Sequence, residues 1–250
     1  MRRIAHAAAA ETLPRFRSQG AVANKEQSSF DPVTEADREA ERVIRALISA
    51  EYPDHGILGE EHGSENISSR HVWVIDPIDG TRGFLEGLRS WCVSVAVVED
   101  GRTLAGVLEC PATEETYWAL PGEGAFLNGR RIAVRRPAAM VEIGGPKPLI
   151  GLMPAEWQGR LSRVPYIPSL AYRLAMVASG RLDATFVKPN AHDWDIAAAD
   201  LILREAGGAL LDQNGRAPRY AGEVIHHGAL VAGSGELLAV LSGIIAGLDG

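Results

Sequence analysis

The chain has 250 residues, 46% of them apolar, and a formal net charge of -7. That length allows one large domain or two small ones around a well-packed interior. The acidic balance argues against nonspecific binding to nucleic acid or to an anionic membrane, both of which need basic surface, so an anionic substrate has to be captured locally.

Residues 2 to 18 read as an amphipathic helix rather than a signal peptide, because Glu11, Pro14 and Arg15 cut the apolar stretch after Ile4 too short. No segment is long enough to span a membrane. Gly20 to Pro32 is polar and irregular. A helix over 35–51 follows from Ala36, Ala40, Val43, Ile44, Leu47 and Ile48 at helical spacing. Thr34 and Asp37 form a capping-box variant at its start. Apolar runs at 56–58, 72–75, 91–98, 103–110 and 116–120 predict strands of an antiparallel meander, turning at Asp100-Gly101. Gly122, Gly124, Asn128 and Gly129 mark further turns. The Pro- and Gly-rich stretch from Arg135 to Pro148 reads as a crossover. It would divide a single domain, 1–250, into halves of about 1–140 and 149–250 that meet near 136–148.

The second half reads as a strand after Leu149, a helix from Ser169 to Ser179, a strand over 183–187 and a helix from Asp195 to Ala206 closed by Gly207-Gly208. Strands at Leu210-Leu211 and 228–232 and a terminal helix from Glu236 complete it. Cys92 and Cys110 have neither metal nor redox spacing and read as buried free thiols, which fits a cytoplasmic location.

Three acidic segments stand where apolar runs end or helices begin: Gly59-Glu60-Glu61, Asp76-Pro77-Ile78-Asp79-Gly80-Thr81 and Trp194-Asp195. Each has an ordinary reading taken alone: a solvated pair for Glu60-Glu61, a turn for Pro77-Ile78-Asp79-Gly80, and a helix N-cap for Asp195. Pro77 removes a backbone donor, so the chain is expected to leave the sheet after Asp76. Gly80 lets the backbone come close to a bound anion at the start of a short helix. Gathered in one cleft, such carboxylates repel by about 4 kcal/mol per pair at 4 Å and an effective dielectric near 20. Only cations make that stable. An all-oxygen donor set favours magnesium over zinc or copper, and magnesium favours phosphate chemistry.

These motifs, with Ile196-Ala197-Ala198 and Glu205-Ala206-Gly207-Gly208, resemble the signatures of the inositol monophosphatase superfamily over nearly the whole chain. The resemblance implies an α+β fold, the layered αβαβα sandwich of the inositol monophosphatase and fructose-1,6-bisphosphatase type. It also implies a lithium-sensitive, magnesium-dependent phosphomonoesterase that works as a homodimer. Carried over by position, it makes Glu60, Asp76 and the Ile78 carbonyl ligands of one magnesium, and Asp76, Asp79 and Asp195 ligands of a second. A third, looser ion would sit near Glu60. Thr81, hydrogen-bonded to Asp37, would help Glu60 orient and deprotonate the attacking water, while Gly80 and Thr81, beside Asp79, hold the phosphate. Lys25 would correspond to a family lysine near the loose ion, although its spacing to Asp31 is one residue long.

The resemblance implies a small phosphate ester as substrate, with no nucleic-acid or membrane partner expected. Lys188 stands where inositol enzymes place a glutamate for ring hydroxyls, and suits a second negative group or faces solvent. Ser169-Leu170-Ala171 and Arg82 are similar to the pattern of 3'(2'),5'-bisphosphate nucleotidases, and the segments 31–37 and 55–61 to histidinol-phosphatases. Ser169, Lys188 and His192 are the candidate substrate contacts, His192 having a packing role beside a helix start as its alternative. Trp91 and Trp118 read as core. A bisphosphate nucleotidase is the leading expectation. Inositol-1-phosphate and histidinol phosphate are alternatives, as is a non-catalytic regulatory binding protein.

Overall fold

The computed structural model describes residues 1–16, 22–23, 33–137 and 139–248, with backbone alone for Val22, Ala23, Val33 and Thr34. Lys25 and Asp31 lie outside the described residues, as does the Thr34 side chain.

The first layer is α1 (Arg2–Thr12) against α2 (Glu35–Glu51), with the short pairing of β1 (Val22–Ala23) and β2 (Val33–Thr34) between them in sequence. Ala36, Ala40, Ile44 and Ile48 recur every four residues and are all buried. Ala5, Ala8 and Ala9 of α1 are small enough to bring the two helices close. The predicted helix over 2–18 ends earlier, at Thr12: Leu13 keeps helical backbone and donates to the Ala9 carbonyl, but Pro14 has no amide to continue the ladder.

The second layer is built from β3 (Gly56–Gly59), β4 (Gly63–Glu65), β5 (His71–Asp79), the five-residue α3 (Thr81–Leu85), β6 (Cys92–Glu99), β7 (Arg102–Cys110), β8 (Glu115–Leu120), β9 (Gly124–Leu127) and β10 (Arg130–Ile132). The strands form an eight-stranded sheet in the order β10-β9-β8-β7-β6-β5-β3-β4. From β5 to β10 it is the expected meander, and β3 lies parallel to β5. Alternation assigns the faces: Trp73 and Ile75 join the α1/α2 core, while Val72 and Val74 face the layer behind.

The remaining elements are β11 (Val141–Gly144), α4 (Lys147–Ile150), α5 (Ala155–Gln158), β12 (Leu161–Arg163), α6 (Leu170–Ala178), β13 (Ala184–Val187), β14 (Ala191–His192), α7 (Asp193–Glu205), β15 (Ala209–Asp212), β16 (His226–His227), β17 (Leu230–Gly233) and α8 (Gly235–Ala246). A five-stranded sheet runs β12-β11-β13-β17-β15. Helices α6 and α7 fill the space between the sheets, and α8 covers the far side. The fold is thus an α+β sandwich with layers in the order αβαβα. Helix α7 is buried on every side from Ile196 to Leu203, as a helix with sheets on both sides must be.

Three further expectations need correction. The strand expected after Leu149 is preceded by the short helices α4 and α5 and comes only at β12. The segment from Arg135 to Pro148 is not a plain crossover: Val141 and Ile143 are fully buried on either side of Glu142, and this short alternation makes β11. Strand β5 does not stop at Asp76. It carries on to Asp79, with Asp76 opposite Ser94 and Asp79 opposite Cys92 across a register shift. Pro77 falls inside the shift, where no ladder donor is needed, and the Ile78 amide donates to Asp76 Oδ1 at 2.9 Å instead of to a strand. Cys92 and Cys110 are free, buried thiols. No helix among the described residues is long and apolar enough to cross a membrane.

Asp200 on α7 is buried at 2% exposure, and that burial pushes its carboxyl up to about 6, with Arg204 at 3.9 Å opposing part of the rise. A carboxyl raised by folding is held neutral better in the fold than in the unfolded chain. Its contribution is therefore full below about pH 4 and is lost as pH rises through about 6. Asp200→Asn cannot ionise, so its unfolding free energy should exceed the parent's by on the order of 2 kcal/mol near pH 8 and match it near pH 4. Denaturant titrations at both ends check this; the same difference at both would contradict it.

Candidate active site

Asp76, Asp79 and Asp195 come from the irregular end of β5 and the first turn of α7, and each offers an oxygen within 4.8 Å of the others. Asp76 and Asp79 are buried, at 1% and 6% exposure. Burial drives Asp76 well above the usual carboxylate range, and the charges of Glu60, Asp79 and Asp195 add to it. Burial also raises Asp79, offset by hydrogen bonds from Ser169, Ala171 and Leu170 and by the charge of Arg173. Left to itself the cluster takes up protons. A cation would relieve it without one.

Each carboxylate is fixed from behind. Asp79 caps the start of α6, where Oδ2 accepts from the Ser169 hydroxyl and, at 2.7 Å, from the Ala171 amide, and Oδ1 from the Leu170 amide at 3.2 Å. The positive end of that helix favours the anion. Gly80 makes the approach possible: its φ is 95°, and a Cβ there would lie 2.9 Å from Ser169 Cβ. Asp195 was expected as a helix N-cap. Instead it is the third residue of α7, and its Oδ2 accepts the amide of the actual cap, His192, at 2.7 Å. Ser94 of β6 ties the start of α7 to the first sheet by donating to the Trp194 carbonyl at 3.0 Å.

Glu60 follows β3, its amide donating to the Ile75 carbonyl at 3.3 Å. The turn after it is held by Glu41 of α2, a fully buried carboxylate that accepts from the amides of Glu61 at 2.7 Å and His62 at 3.0 Å and from Arg45 Nε at 2.8 Å. Gly59 leaves the room, since a Cβ there would come within 2.3 Å of Glu41 Oε1. Thr81 Oγ1 is 3.1 Å from Asp37 Oδ1 and 3.0 Å from the Ile78 carbonyl, so its single proton can serve either acceptor.

Glu60, Asp76, Ile78, Asp79, Gly80, Thr81, Lys188 and Asp195 line one cavity of about 950 Å³, with Asp37 behind Thr81. Two candidate substrate contacts do not. Ser169 is fully buried; its hydroxyl donates to Asp79 and accepts the Tyr172 amide at 2.9 Å, so it positions a carboxylate and cannot reach a ligand. His192 lies outside the lining and stacks on Trp194 at 4.6 Å between ring centroids, which matches its packing alternative. Trp91 is core, against Phe16 and Phe84. Sequence reasoning missed Glu41 and Arg173. Each is a charged residue on an otherwise buried helix face, which is the signal that would have found them.

The residues present suit a hard divalent cation. The donors are all oxygen, and Cys92 Sγ, 3.9 Å from Asp79 Oδ2, is a buried thiol whose proton is held more tightly than usual, not a ligand.

The family comparison agrees with this geometry. The profile of the inositol monophosphatase family matches residues 2–246. The chain is 37% identical to the inositol-1-monophosphatase of Mesorhizobium japonicum, covering 87% of this chain and 85% of that one. It is 34% identical to the histidinol-phosphatase of Mycobacterium tuberculosis, over 78% and 79% of the two chains. A solved structure of the extragenic suppressor protein suhB from Bartonella henselae superposes with a TM-score of 0.85 at 28% identity, over 99% and 97%. The chain belongs to the inositol monophosphatase family. Two of these relatives are named as phosphatases of different esters, which supports a phosphatase and leaves the ester open.

Glu41→Ala would leave the Glu61 and His62 amides without their acceptor and remove the buried partner of Arg45, which keeps only Glu65 and the Gly63 carbonyl. It should lower the unfolding free energy by about 3 kcal/mol in urea titrations; a loss below about 0.5 kcal/mol would mean that the Glu60 turn is held some other way.

Proposed function

We propose that the chain hydrolyses a small-molecule phosphate monoester with magnesium. The observation that carries the proposal is the convergence of Asp76, Asp79 and Asp195 oxygens within 4.8 Å in a place where burial alone penalises their charge. Glu60, Asp76 and the Ile78 carbonyl would hold one ion, and Asp76, Asp79 and Asp195 a second, with a third near Glu60. Bound there, magnesium would polarise the phosphoryl group, lower the pKa of a coordinated water and neutralise the departing alkoxide.

The protein's own groups supply orientation and proton handling. Thr81, anchored on Asp37, and Glu60 would hold the attacking water and accept its proton. Gly80 and Thr81, at the start of α3, would present backbone amides to the phosphate oxygens. Adenosine 3',5'-bisphosphate is the leading substrate in this reading, because Lys188, a cation, stands in the lining where the resemblance would put a carboxylate for ring hydroxyls. Inositol-1-phosphate and histidinol phosphate are the alternatives that the named relatives favour. Lithium inhibition and a cytoplasmic homodimer belong to the same reading.

Purified protein should release phosphate from at least one of these esters with magnesium and not in excess chelator. Asp195→Asn keeps an oxygen for the His192 amide, so it should fold as the parent does yet lose at least about 100-fold in kcat. Asp79→Asn should fall as far. Full turnover in chelator, or in either variant, would refute the assignment.

A further inference from the structure

The cavity has a second pole. Opposed to the carboxylates in charge, its lining carries Arg82, Lys147, Arg163, Arg173 and Lys188. Four of these are exposed, and exposed cations need no explanation. Arg173 is different. It is the one charged residue of α6, otherwise an apolar helix wedged between two sheets. Its stem lies against Gly144, so close that a Cβ there would sit 3.0 Å from Arg173 Cδ.

The guanidinium is poorly satisfied. Nη1 reaches the Ile167 carbonyl at 3.3 Å and Nη2 the Phe186 carbonyl at 3.5 Å, both at the long end for hydrogen bonds, and Nε is sealed from solvent with no acceptor. Among the described residues no carboxylate pairs with it directly. Burial weakens its hold on its proton, and the charge of Asp79 restores part of that hold. Nε is closed to a ligand, but Nη1 and Nη2 each keep a second proton that neither of these bonds uses, and a half-buried guanidinium with unused donors is costly unless an anion arrives to take them. Five donors in a planar fork fit a phosphate or a carboxylate, and offer nothing to a substrate whose recognition depends on donating hydroxyls.

We propose that Arg173, assisted by Lys188 on the exposed part of the lining, anchors a second anionic group of the substrate, a phosphate or carboxylate beyond the one hydrolysed. The assignment rests on the phosphatase reading above, in which cations held by the carboxylates neutralise the reacting phosphate. That leaves the basic pole with an anion of its own to bind. It makes Arg173 and Lys188 the residues that select two-anion esters over one-anion esters. The competing role, in which Arg173 only balances the charge of Asp79, would affect every ester alike.

The test uses matched pairs. Adenosine 3',5'-bisphosphate against adenosine 3'-phosphate reads a second phosphate, and 2-phosphoglycerate against glycerol 2-phosphate reads a carboxylate. The parent enzyme should favour the two-anion member of at least one pair by about tenfold or more in kcat/KM. Arg173→Gln should cut that ratio by roughly 10- to 100-fold, mainly through KM, with Arg173→Lys in between. Lys188→Ala should cut it by about threefold, at an exposed position where folding is not at stake.

A ratio near one in both pairs of the parent, or equal losses on both members in Arg173→Gln, would overturn the proposal. Absence of turnover on every ester would defeat the phosphatase reading instead. The subsite is then judged by calorimetric titration of the same four compounds with magnesium. Tighter binding of a two-anion member that disappears in Arg173→Gln supports it, and no such preference rejects it.

Discussion

The repulsion among Asp76, Asp79 and Asp195 is the constraint around which the rest of this protein is arranged. At a few ångströms and an effective dielectric near 20, two bare carboxylates repel by about 4 kcal/mol, a sizeable part of a typical domain's stability. The fold does not avoid this cost. It lowers it with groups that hold each carboxylate in place while leaving oxygen free on the cavity side. Backbone amides do most of this work, from Ile78 to Asp76, from Leu170 and Ala171 to Asp79, and from His192 to Asp195. Two of the three sets belong to the first turns of α6 and α7, where amides are unsatisfied in any case and the helix end is positive.

This explains why those two helices sit between the sheets with their starts at one end of the cavity. A site that needs amides at helix starts and a carboxylate pair from one strand cannot be assembled within one layer. Asp76 and Asp79 come from the first sheet, Asp195 from the helical layer behind it, and Gly80 lets the two approach closely at the site, against Ser169. Glu41 plays the matching part on the other side, where the α1/α2 layer reaches across β3 to hold the Glu60 turn. All of the first three layers therefore end in the site.

What could be read from the chain alone follows from the range of the forces involved. Helix α2 was legible to the residue because its apolar positions recur at a fixed interval, and the meander from β5 to β8 because alternation and turn residues are local signals. The acidic residues of the site were legible because carboxylates at the ends of apolar runs are unusual. Strand β11 was not, since Val141 and Ile143 are only two alternating positions set among Gly and Pro. The passage of β5 through Pro77 was hidden too, because it depends on a register shift against β6 that no local pattern encodes. Ser169 illustrates the general difficulty. Its place at a helix start was legible, but its role was mistaken, because whether a hydroxyl faces a ligand or a carboxylate behind it is decided by Gly80, far away in sequence.

The same distinction bears on specificity. The acidic side of the cavity is built from short motifs, Glu60 after β3, Asp76 to Thr81 at the end of β5, and Asp195 in the first turn of α7. The basic pole is assembled from single residues on unconnected elements: Arg82 on α3, Lys147 on α4, Arg163 on β12, Arg173 on α6 and Lys188 after β13. In the proposed reaction none of them holds a metal ion, so they are available to recognise the rest of the ester. Of the five, Arg173 alone has been carried into an apolar helix at the expense of its own hydration, and a cation that only kept the protein soluble would have stayed on the surface. The choice of ester is therefore to be sought in how that one half-buried guanidinium is satisfied.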